Sequence, residues 1–211
     1  MILFELVGTE NDDTYQELEM SNGLRQYDFL RDIIIASVKM QRKMMSHQII
    51  KALNYHAITC LHTNAGEYRP CQVTVGDHVP PAHFRVPALM DDFVDLVNRR
   101  WLEVDPLFHA AWILWRLNFI HPFINGNGRT ARAIAYFFIC ARVGGPLPGR
   151  KILPGLIKEN RETYVLALQH ADATAQEGQV DLLPMVQLLD ELLKQQLASA
   201  DEVIPEVLGS S

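Results

Sequence analysis

His121-Pro122-Phe123-Ile124-Asn125-Gly126-Asn127-Gly128-Arg129-Thr130-Ala131-Arg132 links two helix-patterned segments, and the rest of the chain is read outward from it. Before it, Pro106 to Ile120 carries Trp112, Trp115 and Phe119 at spacings of three and four, the mark of a core helix. After it, Thr130 to Val143 predicts a second helix, closed by Gly144-Gly145-Pro146. Between the two, Gly126 and Gly128 allow backbone angles that turn consecutive N–H groups into a concave anion nest. The following helix adds its free N–H groups and the positive end of its dipole. Arg129 and Arg132, three apart, share a helix face and offer forked donors suited to phosphate oxygens. His121 stands beside them as a proton acceptor near neutral pH. The pattern is that of a polyphosphate cradle with a base next to it. The competing reading is an ordinary Gly-Asn-Gly turn with two solvated arginines. Against it, arginine at a helix N-terminus opposes the dipole and calls for a compensating anion.

Farther out, Phe29, Leu30, Ile33, Ile34 and Val38 predict a helix from Tyr27 to Met45. Ser46 is a predicted N-cap for a helix running through Leu61 and ending before Asn64-Ala65-Gly66. From Gly66 to Pro81 the period changes. Cys71, Val73 and Val75 alternate with Gln72 and Thr74, and Gly76-Asp77 supplies a turn, which predicts a small β-hairpin. Val86 to Arg100, residues 155–173 and residues 181–197 complete the predicted helices. Residues 8–23 read as a polar arm or capped turn, and Ile204 to Ser211 as a disordered tail. The fold class is all-α with one hairpin.

With 211 residues, 48% of them hydrophobic, the chain has material for one substantial core. A net charge of −6 argues against a nucleic-acid partner. Leu107 to Ile120 is too short to span a bilayer and contains Arg116, so no membrane association is expected. Cys60, Cys71 and Cys140 are scattered and odd in number, which indicates neither disulfides nor zinc; with no secretory signal pattern at Met1-Ile2-Leu3-Phe4-Glu5, a cytoplasmic location is expected. His56, His62 and His109 lack ligand partners at metal spacing and read as packed helix residues. Lys39, Arg42 and Lys43 read as a solvated helix face.

The segment from His121 to Arg132 resembles the signature of the Fic (filamentation induced by cAMP) family, His-x-Phe-x-Asp/Glu-Gly-Asn-Gly-Arg-x-x-Arg, at every fixed position except Asn125. The resemblance implies a Fic-like helical bundle over residues 45–197, an N-terminal helical arm at 1–44 and a C-terminal tail at 198–211. It also implies a protein adenylyltransferase, which uses ATP to place AMP on a Ser, Thr or Tyr hydroxyl of a target protein. In that reading His121 is the base and Phe123 anchors the loop. Gly126, Asn127, Gly128, Arg129 and Arg132 hold the phosphates, and Tyr164 walls the adenine side. Glu67, Tyr68, Arg69 and Val73 form the flap that docks the target. Gly128 stands where family members that transfer a whole phosphate carry lysine, which favours nucleotidyl transfer.

Asn125 replaces the acidic residue that in the family holds Mg²⁺ (or Mn²⁺). A neutral amide oxygen is a weaker hard ligand. The alternative function is therefore a nucleotide- or partner-binding module with weak or lost transfer. The family's self-inhibition motif is Ser/Thr-x-x-x-Glu followed by Gly or Asn. Only Glu67 has such a residue four positions earlier (Thr63), and Tyr68 follows it. Any brake is thus expected from a separate inhibitory chain or an unrecognised helix.

Overall fold

The computed structural model describes residues 2–76 and 78–200. Its helices are α1 (Leu3–Val7), α2 (Asp13–Met40), α3 (His47–Ile58), α4 (Val86–Arg99), α5 (Pro106–Ile120), α6 (Asn127–Val143), α7 (Leu153–Glu159), α8 (Arg161–Gln176) and α9 (Leu183–Ala198), with a 3₁₀ turn at His83–Arg85. The centre is the pair α5 and α6. Both are apolar around most of their circumference: α5 buries Ala110, Ala111, Ile113, Leu114, Trp115, Leu117 and Ile120, and α6 buries every residue from Ala133 to Cys140. A helix without a polar face is stable only when covered on all sides. Helices α2 and α3 cover α6, α4 and α8 pack on α5, and α9 joins α5, α7 and α8. Phe93 on α4 stacks on Trp112 of α5 at 5.6 Å. Gln196 of α9, fully buried, donates to Tyr136 Oη at 2.8 Å and accepts the Leu153 N–H at 2.7 Å, tying α6, α7 and α9 together.

Capping accounts for several boundaries. Asp105 accepts the N–H groups of Leu107 and Phe108 to start α5, and Ser46 caps α3 through Ile49 N–H. Three expectations are corrected. The polar arm at residues 8–23 contributes the first half of α2, started by Asp12, whose carboxylate accepts the Thr14 and Tyr15 N–H groups. Its buried contacts are partly polar: Asn22 donates to Thr59 O and Gln26 to Leu53 O, so hydrophobic periodicity does not reveal it. The helix read over 155–173 is two helices, broken at Asn160. The hairpin is reduced to one antiparallel bridge between Val75 and His78, with no strand among the described residues. The tail from Ile204 lies outside the described residues.

His109 is 3% exposed, lies 4.6 Å from the Phe138 ring, and neither ring nitrogen has a hydrogen-bond partner. Burial, aided by Arg142 and Arg100, pushes its pKa down to about 4. The unfolded chain, with an ordinary histidine pKa of about 6.5, therefore takes up a proton first as pH falls. This contribution to stability is complete above about pH 6.5 and lost on the way to about pH 4. Wild-type unfolding free energy should fall by about 2 kcal/mol more between pH 7 and pH 5 than that of His109→Leu, measured by urea titration. Equal pH slopes for the two proteins would contradict this account.

Candidate functional site

His121 is the C-cap of α5. It adopts a left-handed backbone, φ 50° and ψ 61°, and its N–H donates to Leu117 O at 2.9 Å. That geometry turns the chain sharply into the loop. Phe123, fully buried, anchors the loop against the Tyr68 ring, 5.6 Å away. The Asn127 side chain braces it in both directions, accepting Phe123 N–H and donating to Phe123 O, each at 2.9 Å. Gly126, at φ 74°, is the N-cap of α6; a Cβ there would meet Ile58 Cγ2 at 2.6 Å, so only glycine fits. No side chain caps α6, and its first N–H groups have no intrahelical acceptors.

A cavity of about 1030 Å³ opens at this end of α6. His121, Gly128, Arg129, Arg132 and Tyr164 all line it, so five of the residues singled out in the sequence converge on one space. The His121 ring is held well below the ordinary histidine range, at about 4, chiefly by burial and also by the charges of His78 and Arg69; a hydrogen bond to the Asn118 backbone pulls the other way. A ring N–H given to a carbonyl leaves the second nitrogen as a proton acceptor. Arg132 makes no hydrogen bond or ion pair among the described residues, and burial lowers its pKa, with Arg129 and Arg161 acting in the same direction. It is a partly desolvated cation waiting for an anion. Tyr164 is 5% exposed and accepts a hydrogen bond from Asn118 Nδ2 at 2.8 Å.

Asn125 behaves differently from the expectation. Its amide oxygen accepts Gly126 N–H at 2.6 Å and Arg129 Nη2 at 3.0 Å. Its amide nitrogen donates to Glu10 Oε1 at 2.9 Å and lies 3.0 Å from His62 Nε2. A divalent ion on that oxygen would face a guanidinium, and no group of three or more His, Cys, Asp or Glu side chains among the described residues is arranged to hold a metal. The donors present do not fit a Mg²⁺ held by Asn125. The residue is a brace linking the α5–α6 loop to the segment before α2.

A model of the Fic/DOC family matches residues 44–139, a span that holds α3, the Val75–His78 turn, α4, α5, the loop and most of α6. The chain carries a Fic/DOC family domain. A protein adenylyltransferase Fic of Drosophila willistoni is 35% identical over 133 residues, covering 63% of this chain and 24% of that protein. The protein of the same name from Aedes aegypti is 34% identical over 134 residues, with the same shares. The match thus spans about a quarter of the length of these curated relatives. In fold, the chain is similar to a Fic domain containing signaling protein from Bacteroides thetaiotaomicron, with TM-score 0.70 and 24% identity over 93% of this chain and 76% of that one. Fic-1 from C. elegans gives TM-score 0.69 and 24% identity over 92% and 55%. Enzymes of the Fic family use ATP and Mg²⁺.

Within the Fic domain, Gly126 and Asn127 do not line the cavity, whereas Gly128 and the two arginines do, and the Asn127 side chain is taken up by Phe123. The residues expected to form a docking flap are largely tied into the fold. Glu67 pairs with Lys51 at 2.8 Å. Tyr68 contacts His47 Nδ1 through its hydroxyl at 2.6 Å, and Arg69 is buried. Val73 is half-buried, while Val75, Val79 and Phe84 are the exposed apolar side chains of this region. No helix among the described residues is long and apolar enough to cross a membrane.

Three cavity residues were not found from the sequence. His78 donates Nε2–H to Phe119 O at 3.0 Å and approaches Asp172 at 3.6 Å, while Trp115 Nε1 donates to the same carboxylate at 2.8 Å. These contacts hold the Val75–His78 turn against α8 as one wall of the cavity. Glu19, on α2, lines the cavity and pairs with Arg129 at 3.0 Å. Tyr15 stands four residues before it, where the family's self-inhibition motif has Ser or Thr, and Met20 follows it where the motif has Gly or Asn.

Proposed function

We propose that this chain is a protein adenylyltransferase that moves AMP from ATP to a Ser, Thr or Tyr hydroxyl of a target protein. The observation that carries the reading is the single cavity lined by His121, Gly128 at the start of α6, Arg129, Arg132 and Tyr164. The hydroxyl oxygen attacks the α-phosphorus, its proton passes to the free nitrogen of His121, and the bond to the bridging oxygen breaks. Pyrophosphate leaves with its charge spread over the α6 N–H groups, Arg132 and Arg129. Catalysis of this kind is chiefly positioning and electrostatic stabilisation. The low proton affinity of the His121 ring suits the role, because bound phosphates would offset burial and the nearby cations and raise its basicity.

The second reading, a nucleotide- or partner-binding module, draws support from Asn125, whose amide is fully engaged, and from Glu19, which already neutralises Arg129. Incubation with α-labelled ATP, Mg²⁺ or Mn²⁺ and a protein mixture separates the two. Covalently labelled bands support the transferase, and reversible nucleotide binding without bands supports the module. Arg132 tests how the nucleotide lies in the site. Arg132→Ala should weaken ATP binding by roughly 1.5–3 kcal/mol, because a charge-assisted grip on the γ-phosphate is lost. ADP affinity should change far less in the same calorimetric titration. Equal losses would contradict this orientation of the phosphates.

A further inference from the structure

Arg69 is 2% exposed, and no carboxylate pairs with it among the described residues. Its guanidinium instead serves three backbone carbonyls. Nε donates to His121 O at 2.8 Å, Nη1 to Cys71 O at 3.0 Å, and Nη2 to Pro81 O. Its own N–H donates to Pro122 O at 2.8 Å. One side chain thus joins the α5–α6 loop to both ends of the segment containing the Val75–His78 turn. A buried cation facing only carbonyl dipoles is a costly way to fasten a loop that apolar packing can fasten equally well. The carbonyl it grips belongs to His121, whose left-handed backbone is unfavourable for a residue with a Cβ and needs external restraint.

We infer that Arg69 is the positioning residue of this site, its forked contacts fixing the His121 carbonyl and through it the direction of the ring in the cavity. The inference rests on the reading of His121 as the base. Only arginine combines permanent charge with a planar fork able to serve several acceptors, so lysine cannot replace it. Arg69 does not line the cavity, and its action on the ring is indirect. Its charge also disfavours a protonated ring, together with His78 from the neighbouring turn. The other charged groups facing the cavity are Asp172 and Arg161 on α8, Lys158 on α7, Arg129 and Arg132 on α6, and Glu19 on α2.

The test compares Arg69→Lys and Arg69→Gln with wild type in the full 211-residue chain. ATP affinity is read by calorimetry, kcat by transfer of labelled AMP, and His121 protonation by ring NMR near about pH 5.5, assigned with His121→Ala. Arg69→Lys should lower kcat at least about tenfold while ATP affinity stays within about twofold, since a misdirected ring harms the chemical step and not the phosphate grip. Arg69→Gln should lower kcat similarly and also leave the ring partly protonated at a pH where wild type is neutral. Wild-type kcat in folded Arg69→Lys, or ATP affinity falling by the same factor as kcat, would overturn the inference. If Arg69→Gln does not fold, the Arg69→Lys comparison decides alone. A wild-type chain that transfers nothing would sink the transferase reading, while unchanged ring protonation in folded Arg69→Gln would sink only the role given to Arg69.

Discussion

His121→Ala is expected to reduce AMP transfer by about 10²–10⁴-fold while leaving ATP affinity within about threefold of wild type. In the proposed function the ring nitrogen is the proton acceptor, and the other histidine on the cavity wall, His78, is committed to Phe119 O and Asp172. The groups proposed to face the phosphates do not depend on the imidazole. Arg132 and the α6 N-terminus keep their places, because Asn127 brackets Phe123 without help from it. Calorimetry with ATP and a labelled-transfer assay on the same preparation check both halves. Transfer at the wild-type rate would remove His121 from the chemistry, and a parallel collapse of ATP binding would make it a ligand-holding group.

Glu19→Ala is expected to tighten ATP binding about tenfold, equivalent to ~1.4 kcal/mol, and to raise the transfer rate at limiting ATP. In the free protein the Glu19 carboxylate meets Arg129 at 3.0 Å on the cavity wall, and both side chains are partly shielded, 35% and 21% exposed. An incoming phosphate chain must displace that carboxylate or tolerate its negative charge nearby. Either alternative costs affinity. Glu19→Gln, which keeps the shape and loses the charge, should fall between alanine and wild type. In this reading α2 supplies the counter-charge from within the chain, the second of the two sources, a separate chain or an unrecognised helix, expected from the sequence. Unchanged ATP affinity in Glu19→Ala would mean that the pair is a surface contact without influence on the nucleotide.

What was legible in the sequence was local. The loop from His121 to Arg132 declared itself because Gly-Asn-Gly, the flanking apolar helices and the arginine spacing all answer to short-range geometry, and the cavity gathers His121, Arg129 and Arg132 as read. The beginning of α2 stayed hidden because its buried contacts include Asn22 and Gln26 bonding to the carbonyls of Thr59 and Leu53, which no hydrophobic period encodes. Glu19 is separated from Arg129 by more than a hundred residues, and only the packing of α2 on α6 brings them together. Arg69 was placed in the docking flap by the resemblance alone; its contacts with His121 O and Pro81 O join stretches of backbone far apart in sequence, which composition does not encode. Asn125 was read against a metal position, while its actual partners, Glu10, His62 and Arg129, come from three separate parts of the chain.

The most direct test of the central claim uses two preparations of ATP, one labelled at the α-phosphate and one at the γ-phosphate, with the Glu19→Ala chain, a divalent cation and a target protein mixture. AMP transfer predicts that α-label becomes covalently attached to a protein hydroxyl, that γ-label appears only in released pyrophosphate, and that both signals vanish when His121→Ala is added to the same chain. Attachment of γ-label to protein, or reversible binding of ATP with no covalent product, would contradict it.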